Sequence, residues 1–347
     1  MKKQLILLAI ILLSTQTFAQ QYVALVKPQG SKTWGFADQT GKIILTPTYS
    51  KATDFSEEGL SVYYIRPNFK VMNLKGEIIP TEVDGFKLME IFGFGTKGYC
   101  NGMLAIVKDG KWGFLDTQGK LVIPTKYEKV TEFSEDKAIA ELAGSFYLLD
   151  KTGKETPINI ENLANVKPFS EGLAPFQTTD KKMGFIDKTG KVIIQAKFDG
   201  VGYFSGGLAW ARTEGDMIGY INPSGEWAIN PKFQTTKDFD PTSGMARVKI
   251  NDGWAYTNKS GDVMQMTDSD KWEDFHDGLA IGRKGDMLGF FDATGKWVIE
   301  PQFEGARDFH KGLAAAKKND LWGFINTKGE WTVQPTFIAV KDMEKVK

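Results

Sequence analysis

The chain has only two histidines, His276 and His310, in the matching contexts Asp274-Phe275-His276-Asp277-Gly278 and Asp308-Phe309-His310-Lys311-Gly312. Two imidazoles brought together could move a proton or help hold a metal ion. They are too few for a His-rich zinc site, and they occupy the same slot as Ser170 in Phe169-Ser170-Glu171-Gly172. Both read as exposed turn residues. The acidic run Asp268-Ser269-Asp270-Lys271-Trp272-Glu273-Asp274 invites a calcium reading. An EF-hand loop started at Asp268 would need Gly at position six and Glu at position twelve, where Glu273 and Leu279 stand. It reads instead as a solvated loop. Cys100, the one cysteine, has no nearby histidine and reads as a small packed residue. No G-x-S-x-G elbow or P-loop occurs, and no dinucleotide-binding turn is read. No catalytic, cofactor-binding or metal-binding residue is therefore expected.

The elements that carry these residues repeat. An Asp/Asn-x-x-Gly turn occurs nine times: Asp38–Gly41, Asn73–Gly76, Asp116–Gly119, Asp150–Gly153, Asp187–Gly190, Asn222–Gly225, Asn258–Gly261, Asp292–Gly295 and Asn326–Gly329. Its glycines fall 34 to 37 residues apart, except for an interval of 43 between Gly76 and Gly119. That period indicates a tandem array, not independent domains. The Asp or Asn side chain can bond the backbone two residues on, and Gly accepts the left-handed conformation of a hairpin bulge. Asp and Asn alternate at this position, so it is the turn bond, not the charge, that the position requires.

Each turn joins two strand-like runs, such as Leu321 to Ile325 and Glu330 to Gln334, and a third run such as Gly312 to Ala316 precedes them. A three-stranded antiparallel meander follows. Between meanders the apolar residues fall three apart, as in Phe198, Val201 and Phe204, which suggests a bent crossing. Gly35, Gly113, Gly184, Gly219, Gly289 and Gly323 sit mid-strand, where glycine weakens a sheet. They are expected to admit a ring or backbone from the next unit.

Trp34-Gly35-Phe36, Trp112-Gly113-Phe114 and Trp322-Gly323-Phe324, with Asp/Asn-x-x-Gly-Lys/Glu and a Pro-x-Tyr/Phe step such as Pro47-Thr48-Tyr49, resemble the WG (KWG) repeat family of bacterial proteins. The resemblance covers about residues 22 to 347. Copies with Met183, Ile218 or Leu288 depart at the Trp, Ala255 departs at the Gly, and those around Val71 and Tyr147 lose both. The resemblance implies repeated β-structure and neither catalytic residues nor a defined ligand.

The expected fold is all-β: about nine repeats over 20–347 in an open superhelical array, with a closed propeller-like ring as the alternative because nine exceeds the usual 4–8 blades. Residues 1–19 read as a signal peptide: Lys2 and Lys3, the apolar run Leu5 to Leu13, and the site Thr17-Phe18-Ala19. No cysteine follows to take a lipid. The expected location is the periplasm or outside the cell, with no membrane insertion. Lys and Arg total 43, as do Asp and Glu, and no basic face points to nucleic acid. The expected role is a non-catalytic scaffold binding an envelope protein or peptide. The alternative is a glycan or cell-wall module using exposed Tyr203, Trp210 and Trp272. The extra residues of the long interval, Lys87 to Cys100, form the one irregular element and a candidate binding loop.

Overall fold

The computed structural model describes residues 21–91 and 95–347. The proposed signal peptide lies outside them. Among the described residues there is no helix, and so none long and apolar enough to cross a membrane. The chain forms small antiparallel sheets in tandem, as expected.

One unit shows the plan. Gly200–Val201, Ala209–Arg212, Ile218–Ile221 and Trp227–Phe233 pair in that order. The unit is thus four-stranded, not three-stranded. The missed inner strand lies within the crossing itself, where Val201 pairs with Ala211 between the buried side chains of Phe198 and Phe204. Only two residues keep strand geometry there, too few for alternation to be read.

The outer hairpin explains the Trp-Gly-Phe and Pro-x-Tyr motifs together. Trp112 pairs with Tyr127 and Phe114 with Ile123, so one residue faces three. Pro124, Thr125 and Lys126 bulge over Gly113, where a Cβ would stand 2.5 Å from the Ile123 carbonyl oxygen. The same shift recurs at Gly35, Gly184, Gly219, Gly289 and Gly323. The close approach therefore comes from the unit's own outer strand, not from the next unit as expected. A bulge of this kind bends the strand and adds twist.

The turns obey their chemistry. Asp187 Oδ1 accepts from the Thr189 and Lys191 amides at 2.8 and 3.0 Å, and Gly190 has φ +86°. Asn222 Oδ1 does the same for Ser224 and Glu226 at 3.0 and 3.1 Å.

Among the described residues the core is divided among nine hydrophobic clusters, each lying between two successive units. The ninth joins Phe324, Val333 and Met343 of the last repeat to Ala24 and Val26 of the first. Backbone pairing seals this junction: Val26 faces Val340, and Gln21 faces Val346. The last residues thus supply the inner strand of the first unit. The open array is thereby corrected to the closed ring. With a fourth strand, reduced in the second unit to the single bridge Ala52–Tyr63, the units have the composition of propeller blades, and closure leaves neither terminal unit with an uncovered apolar face.

Candidate functional site

In each crossing a buried residue anchors the inner segment to its unit: Tyr99 and Phe169, which follow Gly98 and Pro168, and in the other crossings Phe55, Phe133, Phe204, Phe239, Phe275, Phe309 and Met343. Because extended residues alternate, the preceding side chain points the other way. In these other crossings the preceding residues are Asp54, Glu132, Tyr203, Asp238, Asp274, Asp308 and, before Met343, Asp342. The ring thereby gathers charged side chains around a central channel. One cavity of this channel, about 790 Å³, is lined by Asp54, Thr96, Lys151, Arg307 and Glu344 among others. These come from five neighbouring units that lie at opposite ends of the chain.

Ion pairs between units run around this wall. Lys97 reaches Glu132 at 3.4 Å, Arg307 reaches Asp342 at 2.8 Å, Lys311 reaches Glu344 at 2.8 Å and Lys347 reaches Glu57 at 2.7 Å. Asp54 differs: its side chain is exposed to the channel, yet the surrounding wall encloses much of it. That enclosure, with the carboxylates of Glu344 and Asp342 nearby, pushes its carboxyl up to about 6 against the opposing pull of Lys341 and Arg307. Enclosure likewise raises Asp238 and Asp308.

The two histidines do share a recess, of about 490 Å³, opening off the same channel. They engage different carboxylates, however. His276 Nε2 lies 3.6 Å from Asp308, and His310 Nε2 lies 3.2 Å from Glu344. The hydrogen bond to Glu344 raises His310 above the usual imidazole value despite its partial burial. His310 is thus a partly buried contact between units and not the exposed turn residue expected, whereas His276 is exposed. Among the described residues no three His, Cys, Asp or Glu side chains are grouped to hold a metal ion.

The acidic run is tied into its own unit. Asp268 accepts from Lys284 at 2.8 Å and from Trp297 Nε1 at 3.1 Å, and Asp270 accepts from the Gly285 amide at 2.9 Å. Cys100 is partly buried, and its Sγ lies 3.6 Å from Glu132 Oε2. Burial, with Glu132 beside it, pushes the thiol up to about 12, far from a thiolate. Tyr203, Trp210 and Trp272 are all partly buried, not the exposed platform expected; Trp210 and Trp272 pack on hydrophobic clusters between units.

In the long interval, Lys87–Leu88 forms the inner strand of its unit, and Glu90–Ile91 pairs with Gly95–Thr96. Phe92 and Phe94 lie outside the described residues, and Tyr99 is buried. Gly93 to Gly98 does have G-x-G-x-x-G spacing. A dinucleotide site needs that spacing between a strand and a helix, and no helix is described here. Gly98 instead passes close to Thr53, whose Oγ1 would be 2.7 Å from an added Cβ. Nothing local marks Asp54 or Arg307 in the sequence; only the repeat register, with the ring closed, places them together.

The family model described as "WG containing repeat" matches residues 34–65, 112–144, 183–215, 218–254, 289–322 and 322–344. No curated protein matches the chain. The crystal structure of a eukaryotic initiation factor shares the fold with a TM-score of 0.61 at 10% identity, over 94% of this chain and 98% of that one. Apo AztD from Citrobacter koseri gives a TM-score of 0.42 at 11% identity over 93% and 97% of the two chains. BamB from Moraxella catarrhalis gives 0.38 at 10% over 81% and 97%.

Proposed function

The chain belongs to the family built from WG-containing repeats, and from that premise we propose that the ring is a non-catalytic binding scaffold whose channel receives a peptide or protein segment at the cell envelope. The observation that carries this reading is the 790 Å³ cavity, where inner segments of five units present charged side chains to one space. Elsewhere the recurring charged positions serve the fold, as the turn carboxylates do. Envelope location rests on residues 1–19 read as a leader. The glycan reading loses support because Trp210 and Trp272 are packed between units.

The test is photo-crosslinking of residues 20–347 to envelope proteins. One probe replaces Lys151 in the channel wall, and another replaces Ile193 on the exposed outer face. A partner trapped from position 151 is expected. Trapping only from position 193 would overturn the channel as the binding surface.

A further inference from the structure

Four inner segments carry a serine directly after the buried aromatic: Ser56, Ser134, Ser170 and Ser205. In three of them the hydroxyl donates to the carbonyl of the next unit's aromatic. Ser134 bonds Phe169 at 2.7 Å, Ser170 bonds Phe204 at 2.7 Å and Ser205 bonds Phe239 at 2.6 Å. Ser56 is the exception. Its Oγ is fully buried and has no hydrogen-bond partner. The next unit is the one with the long interval, and its chain arrives at Tyr99 through the hairpin pair Glu90–Ile91 and Gly95–Thr96. Thr96 Oγ1 is also buried without a partner. Ser56 and Thr96 both line the 790 Å³ cavity, with their hydroxyl oxygens turned into its wall. The repeat's bond between units is thus missing where the repeat itself is interrupted.

Asp54 completes the group. It flanks buried Phe55 on the side opposite to that ring, as Ser56 does. Among the described residues it makes no ion pair. Its charged neighbours are Glu344, Lys341, Asp342 and Arg307. Arg307 is held by Asp342 and Glu344 by Lys311, and among the described residues Lys341 makes no ion pair. A carboxylate and two free hydroxyl oxygens present acceptors, and a primary ammonium presents three donors.

We infer that the cavity beside Asp54, Ser56 and Thr96 receives a primary ammonium group, carried by a lysine side chain of the bound segment. The inference rests on the channel being where that segment docks. Asp54 accepts one N–H, the other two reach the hydroxyl oxygens once Ser56 and Thr96 turn them from the wall into the cavity, and Lys341 competes with the ligand for Asp54.

The probes are an N-acetylated, C-amidated Gly-Lys-Gly peptide, its Nε-acetylated counterpart and cadaverine, titrated into the full chain. Binding is read from the methyl signals of Thr53 and Thr96. The lysine peptide should bind saturably, and Nε-acetylation should weaken it by about tenfold or more, as loss of a charge-assisted hydrogen bond requires. Asp54→Asn should do the same at unchanged melting temperature, whereas Asp54→Glu should retain binding. Ser56→Ala and Thr96→Val should give smaller losses, and Lys341→Met should tighten binding. Equal binding of the acetylated peptide, or no effect of Asp54→Asn, overturns the inference. Cadaverine binding as tightly as the peptide would overturn the lysine side chain as the source. A crosslinked channel partner indifferent to Asp54→Asn would leave the scaffold reading standing and remove this one.

Discussion

Val26, in the first strand, lies directly across from Val340, near the other end of the chain, and this pairing makes nine repeats a ring. Met343 follows in the same closing segment and is 1% exposed within the cluster that joins the last and first repeats. Met343→Ala should cost about 2–5 kcal/mol, the range for emptying a buried methionine site. Urea unfolding followed by tryptophan fluorescence measures it. A cost under about 1 kcal/mol, the level of a tolerated hydrophobic swap, would show that closure contributes little to stability.

The bulge over Gly113 yields a second expectation. Gly113→Ala pushes a methyl into the Ile123 carbonyl and the backbone of Pro124 and Thr125, all of them rigid. The overpacking should cost about 1–3 kcal/mol or more. Gly144→Ala is the comparison. Nothing lies within 4 Å of its added Cβ, and only its φ of +73° opposes the change, at about 1–2 kcal/mol. Gly113→Ala should therefore melt lower than Gly144→Ala; the reverse order would contradict the bulge.

Much of this was legible because it is local. Asp187-x-x-Gly190 states its own turn, since acceptor, amides and left-handed glycine lie within five residues. The role of Gly113 was not legible in the same way. Trp-Gly-Phe and Pro-x-Tyr are both visible as motifs, but the one-against-three pairing that links them belongs to the register between two strands. The inner strand escaped notice because Gly200 and Val201 alone pair there. Closure escaped because Val340 and Val26 are brought together only by the summed geometry of every unit between them. At the site, the 43-residue interval did point to Lys87 to Cys100, whose Thr96 and Lys97 line the cavity. Asp54 could not be singled out, because its slot looks the same in several other repeats.

The turns also carry a pH signature. Partial burial of Asp187 by itself raises its carboxyl, but the Thr189 hydroxyl at 2.6 Å and the Thr189 and Lys191 amides outweigh this and hold it below the usual carboxylate value. A depressed folded-state value means the stabilisation is present above the unfolded carboxylate range, near pH 4, and is lost as pH falls through the folded value. Asp187→Asn should keep the turn, as Asn222 does, and flatten this acid dependence. Asp187→Ala should lose about 1 kcal/mol at neutral pH. Melting temperatures between pH 3 and 7 test both; equal curves for wild type and Asp187→Asn would refute the assignment.

The closing segment titrates in the opposite sense through His310, which is paired with Glu344. The hydrogen bond His310 donates to Glu344 is the largest influence on His310 and raises it, while burial opposes the rise. Glu344 is correspondingly lowered: burial raises it, but His310 and Lys311 together prevail. Because the folded-state value of His310 lies above the unfolded one, near 6.5, its contribution is complete below that pH and disappears as pH rises through the folded value. The junction between the last unit and the closing strand should therefore be tighter in mild acid than at pH 8. The exposed edge of His310 lets salt screen the pair, so the effect should shrink as ionic strength rises. Hydrogen exchange at the amides of Glu344 to Val346, compared between pH 5.5 and 8 after correction for intrinsic rates, reports the junction directly. Protection should fall with rising pH in the wild type and stay level in His310→Gln. A fall of equal size in His310→Gln would assign the pH dependence to some other group at the junction.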